Sequence, residues 1–98
     1  MSSKAVLVYE LKEIIRRHYV LEQKIYAIGS DKRFPDGIKY RLVLIDSRTG
    51  NKVLMDNHHP KGHHVHLGEV QIPYEYKDEI KLIEDFKQFV FQHMGVKL

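Results

Sequence analysis

The most regular pattern in the chain is its last. In "DEIKLIEDFKQFVFQHM", Ile80, Ile83, Phe86, Val90 and Met94 recur at helical spacing, and Leu82 and Phe89 widen the stripe. Asp78 stands where an N-cap belongs, Glu79 places negative charge in the first turn, and Gly95 is a stop. The pattern predicts an amphipathic helix with its apolar face on the core. The middle of the chain alternates instead. "IKYRLVLID" and "NKVLMDN" flank the turn-forming "SRTG" and read as a hairpin. Alternation puts Tyr40, Leu42 and Leu44 on one face, and Lys39, Arg41, Val43 and Ile45 on the other. "HHVHLGEVQI" reads as a third strand, with His64 and His66 on one side and Val65 and Leu67 on the other. Its apolar parity flips after Gly68, which implies a β-bulge or a strand break there.

The first third is two-sided. In "VLVYELKEIIRR", Leu7, Leu11, Ile14 and Ile15 lie at helical spacing among good helix formers. By pattern alone, residues 6–16 lean slightly toward helix. "HYVLEQKIYAIG" reads as a strand, and "GSDKRFPDG" as a loop with "PDG" as its turn.

Ninety-eight residues without repeat or linker predict a single domain, 1–98. There is no cysteine, so disulfides and thiolate metal sites are excluded. No apolar run approaches the ~18 residues of a membrane span. The N-terminal stretch turns charged too soon for a signal peptide. A cytoplasmic protein with no membrane partner is the expectation. Sixteen Lys and Arg oppose 13 Asp and Glu, with ten of the basic residues in positions 1–50. That bias is compatible with a nucleic-acid partner and equally with ordinary solvation.

Five of the seven histidines fall between positions 58 and 66, in "DNHHPKGHHVHLGE". Three chemistries are open. His64 and His66 on one strand face make a workable pair of metal ligands, with His58, His59, Asp56 or Glu69 as a third; the alternative metal set is His58, His59, His63, His64 and His66. The spacing matches neither a zinc finger nor HExxH. Alternatively, two imidazoles beside a lysine cleave RNA without a metal or any other cofactor. One takes the 2′-hydroxyl proton, the other protonates the leaving oxygen, and Lys61, Lys39 or Arg41 stabilises the phosphate. In that reading Gly62 lets backbone approach a ligand, Asp56 orients a histidine, and Tyr40, Tyr74 and Tyr76 offer rings for bases to stack on. The plainer readings are a solvated histidine-rich loop, Asx side chains closing turns, and tyrosines half-buried at the sheet–helix junction.

The order of these motifs resembles a known family. "KYRL" (Lys39–Leu42), then Asp56-Asn57, then Lys61, Gly62, His64, His66 and Gly68, then Pro73-Tyr74, then "LIEDF" (Leu82–Phe86) is similar to the TumE-type toxins of prokaryotic toxin–antitoxin pairs. The likeness covers roughly residues 36–92. The family pattern usually has an acidic residue before the first histidine of the pair and often an arginine between the two; here His63 and Val65 stand there. That departure weakens any mechanism relying on either group. The resemblance implies a toxin acting on RNA or the ribosome, and a helix-turn-helix antitoxin as partner. Its members are β-rich at the N-terminus, with a strand pair before the "KYRL" strand, so it overrides the helical lean of residues 6–16. The expected fold is α+β: a curved, mostly antiparallel sheet with the C-terminal helix packed on one face. The expected catalytic residues are His64, His66, Lys61 and Asp56, with Lys39, Arg41, Gly62 and Tyr40 on phosphate or nucleic acid. A non-catalytic nucleic-acid-binding module and a metal-dependent nuclease or metal-binding protein are the alternatives.

Overall fold

The computed structural model describes residues 5–29 and 31–98. Six strands follow one another: β1 (Val6–Ile15), β2 (Tyr19–Ala27), β3 (Ile38–Asp46), β4 (Lys52–Asp56), β5 (His64–Leu67) and β6 (Val70–Pro73). A single helix, α1 (Glu79–Met94), ends the fold. The strands pair in sequence order, each antiparallel to the next, as one open sheet. This is the expected α+β architecture. No helix among the described residues is long and apolar enough to cross a membrane.

One face of the sheet carries the core. Leu21, Ile25, Tyr40, Leu42, Leu44, Val53, Met55 and Val65 meet Leu82, Phe86 and Val90 of α1. Phe86 is fully enclosed, and truncating such a ring costs about 3–5 kcal/mol. The helix ends as its sequence dictates. Asp78 Oδ1 accepts from the Lys81 N–H at 2.7 Å, and Gly95, at φ 70°, donates its N–H to the Phe91 carbonyl. The buried seam is narrower than the apolar stripe. Ile83, Phe89 and Met94 only border the core, and Ile80, expected to face it, is 75% exposed.

Two expectations from pattern change. Residues 6–15 are strand, as the resemblance implied and against the helical lean. β1 pairs with β2 from Val6↔Ala27 to Ile15↔Tyr19, and this ladder satisfies backbone groups that an isolated helix would satisfy internally. Leu11 and Ile15 border the core, whereas Leu7 and Ile14 point to solvent, so the helical stripe has no common surface. The segment after His63 is two strands rather than one. Leu67 pairs with Val70, leaving Gly68-Glu69 as a two-residue hairpin loop. Gly68 has φ 64°, and glycine with positive φ at the first loop position is the type II′ pattern. The parity flip at Gly68 is this turn. The sheet's bulge lies in β1, where the register shifts between Leu7 and Tyr9.

Candidate functional site

The antiparallel register aligns charged and imidazole side chains across the sheet. Opposed residues share a face, so Lys24, Arg41, Asp56 and His64 form one cross-strand row on the face away from α1. The next row runs Glu22, Val43, Leu54, His66 and Gln71. Lys39 and Lys52 flank these rows on β3 and β4. The face that the sequence could only place strand by strand is therefore continuous.

His64 is nearly enclosed, and both its ring nitrogens are engaged. Nε2 lies 2.8 Å from Asp56 Oδ1, and Nδ1 lies 2.8 Å from the Gly62 carbonyl oxygen. A carboxylate and a carbonyl both accept, so the ring stands between two acceptors, one at each nitrogen. Gly62 reaches this position with φ 75°, in the left-handed region, and no atom lies within 4 Å of where its Cβ would be. The turn thus presents a carbonyl to His64 while leaving open space on its other side.

His66 differs. Its ring meets that of His64 edge-on, with centroids 4.8 Å apart. Burial pushes its pKa below the ordinary histidine value, and the charges of His64, Lys52 and Lys61 push the same way against Asp56. Its surroundings favour the neutral imidazole.

The remaining candidates divide. Lys39 and Lys61 are exposed. Arg41 donates to Glu22 Oε1 at 3.1 Å, so its charge is partly satisfied. A groove of ≈ 250 Å³ is lined by Lys39, Tyr40, Arg41, Asp56, Asn57 and His58. A second, of ≈ 270 Å³, shares Lys39 and His58 and adds Arg33, Phe34 and His59. Arg33 is held by Asp31, whose carboxyl it lowers to about 2 through its side-chain and backbone hydrogen bonds. The two grooves make a furrow with basic walls beside the histidine row.

Tyr40 projects toward the core, opposite Lys39 and Arg41, and its hydroxyl lies 2.9 Å from His63 Nδ1. The other nitrogen of His63 lies 2.7 Å from Asp36 Oδ2, and Tyr76 stacks on the ring at 5.0 Å and 8°. His63 is thus locked between Asp36, in the 31–37 loop, and β3, apart from His64 and His66. Burial raises the Tyr40 pKa strongly, and that of Tyr76 to about 12. Tyr74 is a junction residue that donates to Asp85 Oδ2 at 2.7 Å. His58 and His59 lie in the exposed turn. No three His, Asp or Glu side chains among the described residues gather as a metal-binding group, so the five alternative metal ligands do not converge.

Two features escape sequence reasoning. Asp36, 27 residues from His63, pairs with it only through the fold. Asn57, 3% exposed, receives the Tyr40 N–H on Oδ1 and donates from Nδ2 to the Ile38 carbonyl, clamping the start of β3. "DN" at a strand end hinted at a local turn, not at a bond across to a neighbouring strand.

An open six-stranded antiparallel meander, covered by one helix and bearing an Asp–His–His cluster on its bare face, defines a small α+β protein with a polar site built on a sheet. The model of the family described as Toxin TumE matches residues 2–94. The chain belongs to the TumE toxin family, and a toxin of this kind implies an antitoxin partner. No curated protein and no solved structure matches the chain.

Proposed function

We propose that this toxin cleaves RNA without a metal ion, using the Asp56–His64–His66 cluster. The observation that supports this is a pKa-lowered imidazole in edge contact with a hydrogen-bonded His–Asp pair on one sheet face. His66 takes the proton from a ribose 2′-hydroxyl, and the 2′-oxygen attacks the adjacent phosphorus. The bond to the 5′-oxygen breaks, leaving a 2′,3′-cyclic phosphate, and the departing oxygen takes a proton from the His64–Asp56 pair. Asp56 is the more open partner, with 19% of its side chain exposed against 6% for His64, so a protonated His64 passes its Nε2 proton to the Asp56 carboxylate and the resulting carboxylic acid protonates the departing oxygen, leaving His64 neutral and Asp56 ionised. Lys61 and Lys39 offset the charge that builds on the phosphate, and the open side of Gly62 admits the backbone. The strand enters along the furrow lined by Lys39, Arg41 and His58.

One observation favours a non-catalytic binding module: the closed hydrogen bonding of His64 also suits a purely structural role. Induced expression separates the two readings. Replacing His66 with Ala should abolish growth inhibition while soluble protein and its circular dichroism stay unchanged; inhibition that survives would contradict the proposal.

A further inference from the structure

The two edges of the sheet are unlike. β6 is four residues long and ends in Pro73, two devices that blunt an edge. β1 is ten residues long and contains no proline. Of the eight large apolar side chains that stand exposed among the described residues, five lie on β1: Val6, Leu7, Val8, Tyr9 and Ile14. A sixth, Ile80, borders an apolar groove of ≈ 350 Å³ shared with Val8, Tyr9 and Ile83. Apolar surface concentrated on an unpaired edge marks a pairing site.

The order of charges on β1 says what pairs with it. Glu10 and Lys12 are exposed and flank Leu11 symmetrically. A row of lysines would repel a second copy of this strand; opposite charges on either side of an apolar residue attract one. Two such strands, antiparallel about a two-fold axis at Leu11, set Leu11 against Leu11, each Glu10 against Lys12 of the second copy, and Tyr9 against Glu13. Axes at Glu10 or Lys12 would set like charges face to face, and an axis at Tyr9 would set both charges against valines, so the charge pattern favours the register about Leu11. In that register Ile14 of the second copy comes level with Val8, beside the apolar groove.

We propose that β1 is the seam of a homodimer, in which two copies pair edge to edge about Leu11 and join their sheets into one of twelve strands. The interface is isologous, as a two-fold dimer requires, and it leaves the histidine face of each copy open.

Light scattering on a size-exclusion column tests this with the full chain at about 5–100 µM, set by the micromolar scale of modest interfaces. Wild type should be a dimer. Glu10→Lys places lysines opposite lysines, and Lys12→Glu places glutamates opposite glutamates. Each should raise the dissociation constant about tenfold or more; because Glu10 also pairs with Lys24 and Lys12 faces Glu22 within the hairpin, circular dichroism and a melting curve confirm that each variant is folded at the assay temperature. Equal mixing of the two variants should recover a heterodimer, and the double variant Glu10→Lys/Lys12→Glu should recover the homodimer. A wild type that stays monomeric throughout the range overturns the proposal, and so does a dimer indifferent to both substitutions. Pairing only when a separate antitoxin segment is added would reassign the edge to that partner and likewise overturn it.

Discussion

Asp56 and His64 stand directly opposite one another in the β4–β5 ladder, and their side chains meet at 2.8 Å on the face away from the helix. The contact is a consequence of register. A one-residue slip of β5 would turn His64 into the core face, where Val65 now packs, and part it from Asp56. The sheet that buries the core therefore also fixes the Asp56–His64 contact and sets it beside His66.

Replacing Asp56 with Asn keeps the shape and an acceptor but removes the charge. On the account above, RNA cleavage should fall by about 100-fold or more, the scale of one lost acid–base group. Single-turnover rates at saturating RNA would check this. A fall confined to RNA affinity would mean that Asp56 serves binding alone.

His66 also makes stability depend on pH. Its folded-state pKa lies below the roughly 6.5 of an unfolded histidine. The unfolded chain therefore binds the proton first. Folding stability contributed here is fully present above about 6.5 and falls as pH drops from there to the folded pKa, below which no more is lost. Urea unfolding at pH 7.5 and pH 5 should show a smaller pH effect for His66→Gln than for wild type. An unchanged difference would place the titration elsewhere.

His63 has a different task. Its nitrogens join Asp36 to Tyr40, and its ring lies against Tyr76. His63→Phe retains a ring for stacking and loses both hydrogen bonds. Stability should fall by about 1–3 kcal/mol, the range for leaving a partly buried polar group unpaired. Cleavage per folded molecule should stay near wild type. Loss of cleavage without loss of stability would move His63 into the site.

Asn57 should be among the least replaceable polar residues. Asn57→Ala removes two buried bonds to the backbone of β3 and leaves the Tyr40 N–H and Ile38 carbonyl without these partners. About 2–4 kcal/mol should be lost in equilibrium unfolding, from two such groups.

The strands and helix that alternation and caps describe were legible in the sequence. α1 begins at the Asp78 cap and ends at Gly95, and β3 and β4 flank the predicted turn. The β1–β2 hairpin was not legible because its turn breaks the usual rule. Arg16 and Arg17 both adopt positive φ, 49° and 69°, where glycine or asparagine would normally advertise a turn. The ladder with β2 overrides both that strain and the helical spacing of the leucines. At the site, the shared face of His64 and His66 followed from alternation. The row that joins them to Asp56 and Arg41 depends on register across three strands, which no local pattern encodes. Asp36 was beyond reach for the same reason.

The most direct test is cleavage of total cellular RNA by purified protein, with and without EDTA, comparing wild type with the His64→Ala/His66→Ala double variant. Wild type should cleave RNA equally with and without EDTA, and the double variant should not cleave it. Cleavage that EDTA abolishes, or that the double variant retains, would contradict the proposed mechanism.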